Sequence, residues 1–152
     1  MASNAPLLAA AAEHAEVGSD QWCAACMRLG QAATSVGDPL TGLAHYAAVR
    51  KALEDPGHPP LEWGPVLLVL CLSAQSAALL QADRLAEADE SARRALALAR
   101  EAGLPGPEVV ALTCLALVSW WAGDQDGALR LVHRRNRAKE SSKMVPASDA
   151  VQ

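Results

Sequence analysis

An all-α protein is predicted, and three observations predict it. Ala and Leu, the strongest helix formers, account for 33 and 22 of the 152 residues. Ile and Phe are absent, Thr occurs three times and aromatics make up 3%, so the side chains that fill a pleated sheet are missing. Pro and Gly punctuate the chain in clusters with helix-length stretches between them. One domain of this size buries roughly 70% of its chain surface, enough for a core without staples.

The breaks fall at Val17–Asp20, Gly37–Pro39, Asp55–Pro60, Gly103–Pro107 and Gly123–Asp124. The helices predicted between them are Pro6–Val17, Asp20–Val36, Pro39–Glu54, Leu61–Gln81, Leu85–Ala102, Pro107–Ala122 and Asp126–Lys139. The third starts well, with Asp38 as N-cap and Pro39 at the first helical position. The fourth and sixth carry uncharged runs, 18 residues over Trp63–Leu80 and 13 over Val109–Trp121. Pro65, Ser73, Gln75 and Ser76 interrupt the first run, the second is too short, and neither has the flanking cations of a membrane span, so helices buried on several sides are expected. The fifth is amphipathic. Leu85, Ala88, Ala92, Ala95, Leu96 and Ala99 fall on one face, and Asp89–Arg93 and Glu90–Arg94 are spaced to pair on the other. Gly103 stops it, and Asp124 caps the last helix.

Net charge is −4 and the isoelectric point about 5.5, which argues against a global field for nucleic acid. The basic run His133–Lys139 reads first as cations at a helix C-terminus, and secondly as a contact for phosphate or an acidic partner. No secretory leader is visible, Met1–Pro6 is set aside from the fold, and the cytoplasm is the expected compartment.

Cys23-Ala24-Ala25-Cys26 is a lone C-x-x-C inside a helical run. A zinc site needs four ligands, and His14, His45, His58 and His133 share no ligand spacing. The four thiols are therefore expected in the core, Cys71 and Cys114 included, with a redox site or a Cys26–His45 nucleophile pair as the catalytic alternative. No catalytic residue, metal or cofactor is expected.

Turns at Gly37, Asp83 and Gly123 share a frame. Gly30, Ser76 and Ala116 each precede the turn by seven residues, and Gly42, Ala88 and Ala128 each follow it by five. Small residues at both places let antiparallel helices cross closely, at about 8–10 Å or less. The pattern resembles the tetratricopeptide repeat over residues 21–138, with turn spacings of 46 and 40 residues, with Gln75 in the family's Leu slot and with Tyr46 alone keeping an aromatic position. The resemblance implies a right-handed array of antiparallel helical hairpins, an α-solenoid: an extra N-terminal helix in 1–19, three degenerate hairpins in 20–139, and a disordered tail in 140–152. It also implies a concave groove lined by Met27, Gln31 and Thr34 from the first unit, Ser73, Leu80 and Gln81 from the second, and Thr113, Leu117, Trp120 and Trp121 from the third. The alternative for the paired Trp is a core position or a cap on an open end.

The stretches Arg93–Gly103 and Ala122–Leu131, with ten Arg against three Lys overall, resemble the helical-repeat region of large LuxR-type ATP-dependent transcriptional regulators. That likeness implies a non-catalytic sensor or assembly scaffold, holding a protein or a small-molecule inducer in the groove. It also implies no direct nucleic-acid contact by this segment and no membrane. A free-standing peptide-binding adaptor is the rival reading. An uncapped solenoid end invites self-association.

Overall fold

The computed structural model describes residues 4–143, and among them it is all-helical, with no strand. The helices are α1 (Ala5–His14), α2 (Asp20–Ser35), α3 (Pro39–Glu54), α4 (Gly64–Gln81), α5 (Leu85–Glu101), α6 (Pro105–Trp121) and α7 (Gln125–Lys143). The predicted elements are all present in the predicted order. The boundaries differ where prolines were read as loop. Leu104 precedes α6, and Pro105, Gly106 and Pro107 lie inside its first turn, where a helix lacks N–H partners anyway and Pro costs little. At the other end α7 continues past Lys139 through Glu140–Lys143, which the tail expectation had claimed; residues 144–152 of that tail lie outside the described residues.

Four of the connections are built alike. Gly37, Asp83, Gly103 and Gly123 take positive φ of 83°, 59°, 64° and 82°. The next amide then returns to a carbonyl five residues back: Asp38 to Ala33, Arg84 to Leu79, Leu104 to Ala99 and Asp124 to Ser119, at 2.8–2.9 Å. This is the left-handed helix stop that favours Gly. Asp83 makes the same turn with a side chain. Two new helices then start on a cap: Asp38 accepts from the Thr41 amide (3.2 Å) and Asp124 from the Gly127 amide (2.8 Å).

Each helix packs on the next, and beyond that α4 touches both α2 and α6. No such backbone approach joins α3 to α5 or α5 to α7. The even helices therefore share one layer, and the odd helices stand apart on the other side with gaps between them. α4 is long and apolar enough to cross a membrane by length and composition. It is also the central helix, touching α2, α3, α5 and α6, and all-round apolarity is what burial on several sides requires.

The small residues of the first two pairs sit where the helices cross. A Cβ on Gly42 would lie 3.1 Å from the Gly30 carbonyl oxygen, so α2 and α3 meet backbone to backbone. Ser76 Oγ donates to the Ala88 carbonyl at 2.8 Å, and both residues are fully buried. Ala116 and Ala128 are buried as well. The ring of Tyr46, 1% exposed, occupies the notch at Gly30, where a Cβ would come within 2.5 Å of Cε1. The core is otherwise mostly Ala, Leu, Val and Cys, with Met27 and three Ser, and Ala88, Ala92, Ala95 and Ala99 form one fully buried stripe of α5. Leu85, expected on that stripe, is exposed, because at the first position of α5 it lies beside the turn.

Candidate functional site

The face shared by the even helices is open. A groove of about 460 Å³ runs across it, lined by Ala24, Met27 and Gln31 of α2, Leu70 and Ala77 of α4, and Val110 of α6, among others. Helical spacing explains the choice of residues. Leu67, Leu70, Ala74 and Ala77 recur every three or four positions and make one stripe of α4. On α6 the stripe through Val110 and Cys114 continues to Leu117 and Trp121, and Val110, Leu117 and Trp121 are 39%, 45% and 65% exposed. The face is thus apolar along α4 and α6. Arg28, on the α2 wall, has no ion pair among the described residues.

Of the predicted groove residues, Met27, Gln31 and Ser73 are brought together here. Leu117 and Trp121 follow on the same α6 stripe, while Trp120, 59% exposed, lies about a quarter-turn away. Both Trp are exposed, so neither occupies the core. Leu80 does not line the groove; it is buried with Leu79, Ala88 and Val118, because the end of α4 turns that side toward α5 and α6. Thr34 and Thr113 are half-buried, each hydroxyl donating to a carbonyl of its own helix, at Gln31 and Val109. Gln81 is exposed at the last turn of α4.

All four thiols are free and buried. Cys71 donates to the Tyr46 carbonyl (3.3 Å) and Cys114 to the Ser73 carbonyl (3.4 Å). Burial pushes Cys71 up to about 12 and Cys23 and Cys114 up to about 11, and it raises Cys26. Thiols of this kind are poor nucleophiles at neutral pH. Among the described residues, no three His, Cys, Asp or Glu gather as metal ligands.

Sequence reading missed two concavities on the other side. One, about 530 Å³, lies under the Pro59-Pro60-Leu61 loop against Leu53, Leu68 and Leu98. His58 pins that loop, with Nε2 2.8 Å from the Gly18 carbonyl. The Pro-rich length of the loop was its only linear signal. The other is a groove of about 500 Å³ between α5 and α7, where arginines from both helices meet over Leu96, Leu115 and Leu131. The basic run announced α7 but not its α5 counterpart. Comparison with known proteins gives no match: no family model, no curated protein and no solved structure.

Proposed function

We propose that the chain is a non-catalytic binding scaffold of tetratricopeptide-like type, a right-handed array of helical hairpins that holds an apolar protein segment against α2, α4 and α6. The observation that carries this reading is the open, shared face of those three helices, with Val110, Leu117 and Trp121 exposed in line along it. Apolar stripes of this sort are normally covered, and aromatic anchors concentrate binding energy. The closely crossed helices behind the face support it as a rigid platform. The buried, alkaline-shifted thiols favour this reading over a Cys-dependent enzyme.

On the resemblance carried by Arg93–Gly103 and Ala122–Leu131, the scaffold serves as the sensor or assembly region of a LuxR-type regulator in the cytoplasm. A genomic reading frame with a Gly-x4-Gly-Lys-Ser/Thr loop upstream and a helix-turn-helix downstream supports that assignment; a frame with neither favours the free-standing adaptor. The exposed Trp120, Trp121 and Leu129 near one turn also make self-association a specific proposal. Sedimentation equilibrium tests it, and a monomer at high concentration contradicts it.

A peptide-display selection on the purified chain tests the scaffold reading. Leu-, Phe- and Trp-bearing sequences are expected. Their binding falls at least tenfold in Leu117→Asp and in Trp121→Ala, and Trp emission shifts to the blue on binding. Selected peptides indifferent to both substitutions overturn the reading.

A further inference from the structure

Two of the gaps between odd helices, α3–α5 and α5–α7, differ in how their charges are paired. Across the first, Glu54 of α3 accepts from Arg94 of α5 at 2.5 Å, so an acid and a base tie the walls together. No such tie crosses the second. Arg93 and Arg100 of α5 face Arg130 and Arg134 of α7 over the 500 Å³ groove, and Arg137 lines its continuation along α7. Arg93 is paired with Asp89 of its own helix (2.8 Å) and Arg100 with Glu108 (3.0 Å). Asp124 also lines the groove, but it is occupied capping Gly127. Arg130, Arg134 and Arg137 have no ion pair among the described residues. They recur at the four- and three-residue steps that place side chains in one row of a helix. In a chain of net charge −4, such a concentration of unpaired guanidinium is a local exception.

We propose that the α5–α7 groove is a second binding site, specific for an acidic amphipathic peptide helix. Its carboxylates pair with Arg130, Arg134 and Arg137, and its apolar side rests on half-buried Leu131 and exposed Ala97, with the buried Leu96 and Leu115 completing the lining. The charge calls for an anionic occupant, since a guanidinium fork donates two parallel hydrogen bonds to a carboxylate. The floor selects a peptide over a nucleic acid. It is aliphatic, and no aromatic ring lines the groove for base stacking. An occupant acid would supply in trans what Glu54 supplies in cis across the first gap. The site lies on the odd-helix side and does not depend on what fills the even-helix face.

A fluorescein-labelled helical peptide with Glu at i, i+4 and i+7 flanking a Leu stripe, titrated by anisotropy, tests the site. Binding is expected to weaken at least tenfold in Arg134→Gln and further in the triple variant Arg130→Gln, Arg134→Gln, Arg137→Gln. Arg135→Gln removes the same charge from a residue bonded to Asn136 outside the groove lining, and it should change affinity less than twofold. Leu117→Asp, on the other face, should leave this peptide's binding intact. Circular dichroism verifies that each variant folds. Equal losses in Arg135→Gln and Arg134→Gln, equal binding of a Ser-for-Leu peptide, or tighter binding of a single-stranded oligonucleotide would each overturn the proposal.

Discussion

The α2–α3 and α6–α7 hairpins share one turn and one crossing rule, yet they spend their side chains differently. In α2–α3 the crossing residues are both Gly, and the notch they leave is filled by a buried Tyr46 ring. Cys23, Cys26, Met27 and Val49 pack around it. In α6–α7 the matched small residues Ala116 and Ala128 are both buried, no aromatic is buried with them, and α7 buries only Gly127 and Ala128. Its remaining chemistry faces outward: Leu117, Trp120, Trp121 and Leu129, with arginines at 130, 134 and 137. The same local architecture therefore carries a packed core at one end and leaves an exposed apolar and basic surface at the other. Burial, not the helix propensity of the segments, distinguishes the two.

Substituting the crossing residues should break that comparison most sharply. Gly30→Ala drives a methyl into the rigid Tyr46 ring, and overpacking of a core costs about 1–3 kcal/mol even though Ala is the better helix former. Chemical denaturation should show that loss. Ala116→Gly, at the equivalent place in α6–α7, should lose about 1 kcal/mol through helix propensity and introduce no clash.

Turn chemistry gives the next effect. Asp83 occupies the left-handed position that Gly fills at 37 and 123, so Asp83→Gly should raise stability by about 0.5–1 kcal/mol, read as a higher melting temperature. Gly123→Ala should lower it by a similar amount, since space is open there and only backbone strain is added.

The thiols make the packed hairpin sensitive to alkali. Cys23 and Cys71 are raised from an ordinary value of 9.0 to about 11 and about 12. The unfolded chain gives up these protons first. The stabilisation is therefore complete below pH 9 and is lost as pH climbs through 11–12. Denaturation midpoints should fall over that window, and Cys71→Ser, though less stable overall, should show a shallower fall. Asp38 works in the opposite direction. The Thr41 side chain and amide hold its carboxyl below the ordinary 3.8, so its cap operates at neutral pH and fails as pH falls below that value. The smallest effect belongs to the exposed end: Trp121→Ala should change stability by no more than about 0.5 kcal/mol, while weakening capture of the apolar peptides at least tenfold.

Local signals read well from the sequence. The order of the helices, the caps at Asp38 and Asp124, the stop at Gly103 and the matched small residues all lie within a few positions of one another along the chain. Partners from distant helices read poorly. Gln75 looked like a departure in an apolar slot, yet it accepts from Arg50 of α3 at 3.0 Å. Arg94 was expected to pair with Glu90 four residues earlier; it reaches across to Glu54, where two helices converge, while Asp89–Arg93 forms as spaced. Placing Pro105–Pro107 in a loop after the Gly103 stop hides a fourth copy of the turn, which sets Asp83, Gly103 and Gly123 twenty residues apart. The groove positions carried over from the tetratricopeptide pattern were legible in part, because Met27, Gln31 and Ser73 follow helical phase, whereas Leu80 depends on where α5 and α6 close over the end of α4.

The proposed binding face is tested by mapping amide chemical shifts of the labelled chain as a display-selected apolar peptide is added. Perturbations are expected to be confined to 24–31 of α2, 67–77 of α4 and 110–121 of α6, with α5 and α7 unmoved. Perturbations centred on the odd helices, with the even-helix face silent, would contradict it.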